Sequence, residues 1–165
     1  MQFWKPKEHL LHATLWVPAP IDRIFPFFAD AGNLNQLTPS TLGFQILTPA
    51  PLVMREGLLI DYKISLHGLP MRWRTRICAW HPQGHSPRFT DEQIKGPYAL
   101  WIHEHTFAPK EGGTLCKDVV RYAHWGGPIT EKLIVRPQLS EIFRFRTDKM
   151  QELFCKGAEA CVRFV

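Results

Sequence analysis

The chain has 165 residues, enough for one domain that buries roughly two-thirds of the surface its unfolded form exposes, so a core with a pocket needs no disulfide or metal staple. An apolar fraction of 45%, with 11 Phe and 6 Trp against 21% charged residues, excludes an intrinsically disordered chain. The net charge of +5 is scattered rather than gathered into a run, which argues against a nucleic-acid partner, and no apolar run approaches the roughly 18 residues that cross a bilayer.

Residues 9–17 read as a first strand. Lys5 and Lys7 ahead of an apolar segment imitate a secretory signal, but His9, His12 and Thr14 interrupt it. Pro18 and Pro20 stop the strand before Ile21, Ile24, Phe25 and Phe28, which fall at helical spacing. A second short helix is expected over residues 30–37, ended by Thr38-Pro39, because a residue before proline is pushed out of the α region.

From Gly43 the punctuation becomes that of an antiparallel meander, with strands expected at 44–47, 58–67, 71–80, 88–94, 100–108 and 114–122, separated by Pro and Gly clusters. After Pro137, Leu139, Ile142, Phe143, Met150, Leu153 and Phe154 form one helical stripe. The order strand, two short helices, six strands, long helix indicates an α+β fold in a single domain over residues 1–165, with the helix lying on the apolar faces of strands three and four. Cys78, Cys116, Cys155 and Cys161 contain no C-x-x-C pair. Cys155 and Cys161, continued on the closing helix, would stand about 9 Å apart along its axis, beyond the roughly 7 Å reach of a disulfide. Reduced thiols and a cytoplasmic location are expected.

Strand alternation sorts the side chains by face. Ile60, Tyr62, Ile64 and Leu66 point inward on strand three; Trp73, Thr75, Ile77 and Ala79 do so on strand four, sending Arg72, Arg74 and Arg76 outward. On strand six the inward set is Trp101, His103, His105 and Phe107. If Phe107 faces Thr114, then His105 faces Cys116, His103 faces Asp118 and Trp101 faces Val120. Strand five adds Phe89, Asp91 and Gln93, though a shift of one residue in the Gly96-Pro97 turn would turn that set outward.

Polar groups on an apolar face must be hydrogen-bonded or wet. The His103, His105 and Asp118 group is therefore either a buried network that fixes register or a polar patch facing a ligand. A metal site on His103 and His105 with Asp118 or Asp91 is a third reading, set aside because no second histidine block follows; neither a metal nor a cofactor is assigned. Arg146 shares the helix side of Leu139, Phe143 and Met150 and is expected to meet Asp118 or Asp91.

The element order and several stretches are similar to the superfamily of START-related proteins, polyketide cyclases/dehydrases and birch-pollen allergens, and within it to a bacterial ligand-binding group. These stretches are Leu34 to Pro39 (LNQLTP), Ile60-Asp61-Tyr62, Pro70 with Trp73, Phe89-Thr90-Asp91-Glu92-Gln93 with Gly96-Pro97-Tyr98, Trp101 to Phe107 (WIHEHTF), Asp118 with Tyr122, and Ile142-Phe143 with Arg146. The resemblance spans nearly the whole chain. It implies a helix-grip fold, a seven-stranded curved antiparallel sheet wrapped around the long C-terminal helix, with two short helices after strand one. It also implies a cavity between sheet and helix for a lipid-, polyketide- or sterol-like molecule.

The first expected function is binding of a small hydrophobic or aromatic molecule by Tyr62, Trp73, Thr75, Asp91, Gln93, Trp101, Phe107, Tyr122, Phe143 and Arg146. The alternative is a cyclase or dehydratase in which His103 or His105 acts as general base, oriented by Asp118 or Asp91. A regulatory module that presents Arg72, Arg74 and Arg76 to a partner is the third.

Overall fold

The computed structural model describes residues 5–66 and 68–154, and the backbone of 160–164. β1 (Glu8–Val17) leads to α1 (Ile21–Ala29) and two 3-10 turns, Ala31–Asn35 and Ser40–Leu42. The meander follows as β2 (Gln45–Ile46), β3 (Leu59–Leu66), β4 (Leu69–His81), β5 (Arg88–Lys95), β6 (Leu100–Lys110) and β7 (Gly113–Ala123). α2 (Gly127–Thr130), a π-helical stretch Glu131–Val135 and α3 (Arg136–Phe154) then precede β8 (Ala160–Phe164).

All seven strands expected from alternation are formed, and the helix expected over residues 30–37 is the 3-10 turn Ala31–Asn35, with a further turn at Ser40–Leu42 beyond Pro39. The sheet runs β2-β3-β4-β5-β6-β7-β1-β8. β8 is an addition, since the sequence reading carried the closing helix through Cys161. It pairs with β1 from Leu11↔Phe164 to Leu15↔Ala160. The side chains of Cys155 and Cys161 lie outside the described residues; Cys78 and Cys116 are free thiols.

The helical segment starts ten residues earlier than the stripe indicated, at Gly127 rather than after Pro137. Proline normally breaks a helix because it lacks an N–H for the carbonyl four residues back. Here the wider π turn directly ahead of α3 accommodates Pro137. Gly126, at φ 124°, makes the reversal out of β7; a Cβ there would stand 2.6 Å from the Thr130 hydroxyl oxygen.

Two local departures from regular alternation set the faces. β6 and β7 are joined by the two-residue turn Glu111-Gly112, both at positive φ, so Lys110 pairs with Gly113. The register is thus displaced by two from the one expected: Phe107 faces Cys116, His105 faces Asp118, His103 faces Val120 and Trp101 faces Tyr122. A displacement of two leaves every side chain on its expected face. In β4 the pairing jumps from Ile77↔Asp91 to Ala79↔Thr90, leaving Cys78 as an extra residue. That bulge flips the alternation. Trp80, instead of Ala79, turns inward, 5.6 Å from Phe25 and 5.8 Å from Phe89 between ring centres.

The helix does not rest on β3 and β4 as expected. Leu139 and Phe143 of α3 pack with Leu11, Ala13, Val120 and Tyr122 of β1 and β7, while Met150 joins Leu15, Val17, Ile24, Phe89 and Phe107. Leu153 is 39% exposed rather than buried. The helix therefore covers the β6-β7-β1 half of the sheet, and the inner face of β3 to β5 is left to line a cavity.

Candidate functional site

The cavity has a volume of about 180 Å³. Ile60, Tyr62, Ile64 and Leu66 of β3 and Trp73, Thr75 and Ile77 of β4 form its floor, and Leu139, Ile142 and Phe143 of α3 close the opposite side. Its aromatic wall is continuous. Tyr62 stacks on Trp73 at 5.8 Å, and Trp73 meets Tyr98 and Trp101 edge-on at 5.6 and 5.4 Å. The polar tips on this wall satisfy one another: the Trp73 indole N–H donates to the Thr75 hydroxyl oxygen at 3.0 Å, and Tyr62 and Thr75 share a hydrogen bond of 2.9 Å. Burial pushes the Tyr62 and Tyr98 phenols far above their usual range, so both stay neutral.

One wall is different. β6 projects His103 and His105 inward at a spacing of two, and their rings lie tilted by 37° with centres 3.8 Å apart. β7 places Asp118 on one side of this pair and β5 places Asp91 on the other. His103 Nε2 is 3.0 Å from Asp118 Oδ1, and His105 Nε2 is 3.2 Å from Asp91 Oδ2. The remaining nitrogens face the opposite carboxylates, His105 Nδ1 at 2.7 Å from Asp118 and His103 Nδ1 at 3.9 Å from Asp91. The 2.7 Å approach is not aligned for a hydrogen bond, and His105 Nδ1 has no such partner.

Arg146 reaches in from α3. Its Nη1 lies 3.8 Å from Asp118 Oδ1 and its guanidinium sits 5.6 Å from the centre of the Phe143 ring, while its buried Nε has no hydrogen-bond partner. Two carboxylates, one guanidinium and one imidazolium sum to zero, so the cluster is neutral when the histidine pair holds one extra proton. The electrostatics favour His105 over His103 as the ring that carries it. Burial disfavours the charged form of both rings, but at His105 the carboxylates Asp118 and Asp91 outweigh it and raise the pKa. At His103 burial, joined by the neighbouring His105, keeps the pKa lowered. Burial works against the Asp118 carboxylate as well, yet the two histidines hold it well below the usual range.

Of the residues singled out from sequence, Tyr62, Trp73, Thr75, Asp91, Trp101, His103, His105, Phe143 and Arg146 line the cavity. The other four lie behind that surface. Asp118 backs the two histidines. Gln93 braces the Gly96-Pro97 turn, donating to the Tyr98 carbonyl at 2.7 Å and accepting from the Tyr98 N–H at 3.2 Å. Phe107 is buried against Phe25, Phe28 and Phe89. The Tyr122 hydroxyl donates to Glu131 Oε1 at 2.8 Å. The sequence reading missed Tyr98, which lines the cavity from the turn after β5, and the loop residues Leu34, Leu37 and Leu42. The run Gly96-Pro97-Tyr98 entered the sequence reading as a turn and as part of the family resemblance but not as a site, although an aromatic residue in a turn between two inward faces is a usable signal.

Several solved structures share this architecture. Protein Ms6760 from Mycobacterium smegmatis is 19% identical, with 87% of this chain and 89% of that one covered at a TM-score of 0.62. Major latex-like protein 151 from Panax ginseng is 12% identical, with 89% and 97% covered at a TM-score of 0.65. Truncated norcoclaurine synthase from Thalictrum flavum is 16% identical, with 94% and 99% covered at a TM-score of 0.64. At these identities the likeness establishes the helix-grip fold. No curated protein matches the chain by sequence. The family model described as polyketide cyclase/dehydrase and lipid transport matches residues 17–145, which takes in the strands and the half of the helix that frame the cavity, and the chain belongs to that family.

Proposed function

We propose that the protein binds a small hydrophobic molecule with one polar end in the cavity between β3–β5 and α3, and that residues 1–165 act as one ligand-binding domain of the cytoplasm. The observation that carries this reading is the asymmetry of the cavity wall: most of it is aromatic and aliphatic, His103, His105, Asp91 and Arg146 gather on one side, and Asp30, Asn33, Thr38, Thr75 and Gln138 are its other polar residues. Apolar lining with a few convergent polar groups is what orients a ligand. The volume suits a molecule of roughly one or two rings better than a sterol, since an apolar cavity of about 150 Å³ holds benzene. The partnerless Arg146 Nε favours an acceptor oxygen at the polar end: a carbonyl, phenolate or carboxylate.

The proton shared by the histidine pair supports a second reading, general acid–base catalysis of a cyclisation or dehydration. His103 would accept a proton beside a carbonyl and His105 would return it, while Arg146 would stabilise the oxyanion. A norcoclaurine synthase of the same fold has been solved in complex with a transition-state analogue.

Titration with one- and two-ring phenols, ketones and carboxylic acids, followed by quenching of Trp73 and Trp101, tests the binding reading. Saturable binding that weakens at least about tenfold in Arg146→Met, the size of one lost charge-assisted hydrogen bond, is expected. A wild-type protein that binds none of them, and from which denaturation releases no small molecule detectable by mass spectrometry, would overturn it. Product formation with ring-closable polyketones would establish the catalytic reading.

A further inference from the structure

A second polar cluster lies outside the cavity. His9 at the start of β1, His124 just after β7 and Glu131 in the π-helical stretch converge although 115 residues separate the first two. Their nearest nitrogen and oxygen atoms all lie within 4.8 Å of one another. None of the three lines the cavity.

The hydrogen-bond pattern of His124 is the first clue. Its Nδ1 is 3.2 Å from the Trp125 carbonyl, and its Nε2 is 3.0 Å from Glu131 Oε2. A carbonyl only accepts, so Nδ1 carries the hydrogen and Nε2 is the nitrogen turned toward the carboxylate oxygen, where a proton or a metal ion can bridge the two. A ligand histidine whose other nitrogen donates to a backbone carbonyl is the usual arrangement of a metal site. His9 is the second clue, because its Nδ1 lies 3.7 Å from Glu131 Oε1, too far for a hydrogen bond.

The rest of Glu131 is anchored. Oε1 accepts from the Tyr122 hydroxyl at 2.8 Å and from Arg136 Nε at 3.4 Å, which leaves Oε2 for His124 and whatever sits between them. Arg136 opposes a cation, but its side chain is 47% exposed and its Nε approaches the other oxygen. The inner cluster differs, since its two imidazoles have two carboxylates, Asp118 and Asp91, to pair with, and Arg146 reaches Asp118 from α3.

We propose that His9, His124 and Glu131 form a divalent transition-metal site with the preferences of zinc, completed by water. Two imidazoles and one carboxylate with an open position suit zinc. Donor atoms in a tetrahedral zinc site stand about 3.3 Å apart, given bonds of about 2.0–2.1 Å, and the donors here all lie within 4.8 Å of one another. The metal would tie the start of β1 and the end of β7 to the beginning of the helical segment.

The test uses untagged full-length protein stripped with a chelator. Zinc is titrated calorimetrically, and cobalt(II) is added to read the ligand field by visible absorption. One equivalent is expected to bind to the wild type and to His105→Gln alike, and binding should weaken by at least about tenfold in His9→Gln and be lost in Glu131→Gln. Tyr122→Phe should weaken it by about tenfold, as loss of an outer-shell partner does. His9 is the variant least coupled to folding, and circular dichroism checks each variant before titration. Absence of binding to the wild type, unchanged binding in His9→Gln, or loss of binding in His105→Gln instead would overturn the site.

Discussion

The two halves of the sheet are built from the same kind of strand and do opposite things. On β7, β1 and the Phe107 end of β6 the inward side chains pack under α1 and α3 and do not reach the cavity: Leu11, Val17, Phe107 and Val120 are at most 1% exposed. On β3 and β4 the inward side chains are equally apolar and hardly more exposed, Ile60 at 2% and Ile64 at 6%, but they border the cavity. Burial by itself does not distinguish core from binding wall; what lies on the far side of the buried atom does.

That contrast predicts unequal costs for similar truncations. Phe107→Ala removes a ring wedged among Phe25, Phe28 and Phe89 and is expected to destabilise the fold by about 3–5 kcal/mol, transfer and new void together. Ile64→Ala, measured on ligand-free protein, should cost about 2 kcal/mol, because its side chain already borders a void and chiefly the transfer part is lost. Chemical denaturation of both variants checks this, and equal losses would mean that the cavity collapses in solution.

Between these two falls Asp118→Asn, at about 2–3 kcal/mol for its hydrogen bonds to ionisable partners. It also sharpens the comparison through pH. The depressed pKa of Asp118 contributes stability that is complete above its unfolded value of 3.8 and is lost as pH falls below it, so the variant should flatten the acid limb. His105, whose pKa is raised, contributes stability that is complete below 6.5 and lost as pH rises through its folded value. His103, whose pKa is lowered, acts the opposite way, stabilising above 6.5 and losing that contribution on acidification. Thermal melts from pH 4 to 9 of His105→Gln and His103→Gln should therefore change opposite limbs. Identical changes would place both rings in one solvated environment.

The smallest effects are expected on the cavity rim and the outer face. Tyr62→Phe should cost about 1 kcal/mol, one neutral hydrogen bond, yet change the ligand-dependent quenching of Trp73. Arg76→Ala breaks the outer-face pair with Glu92 and should shift neither melting nor ligand binding. A pull-down partner lost with Arg72, Arg74 and Arg76 would instead favour the regulatory reading.

The sheet was legible in the sequence because its signal is local. Alternation in Ile60 to Leu66 and Trp101 to Phe107 assigns faces without knowing partners, and the inward His103 and His105 follow from it. Register was less legible: a two-residue Glu111-Gly112 turn and a longer loop around Gly112-Gly113 both suit the composition, and they differ by two positions of pairing. The extra residue at Cys78 carries no sequence mark at all, since the run from Arg72 to Trp80 has no glycine. Pro137 misled in the ordinary way, because the π turn that accommodates it depends on how the chain leaves β7. His9, His124 and Glu131 were invisible as a group, for only the pairing of β1 with β7 brings the ends of the sequence together.

That same pairing leaves β1 with a second edge, and its consequence concerns other molecules of the chain. Ten residues of β1 without a neighbour would offer a row of free amides and carbonyls, a template on which a foreign strand can grow. β8 occupies this row along Leu11 to Leu15, while the opposite border of the sheet is only the two residues of β2. A shortened protein lacking residues 160–165 would keep its cavity walls, yet it would expose the flattest adhesive border of the sheet and be expected to self-associate into strand-joined aggregates at concentrations where the full chain stays dispersed.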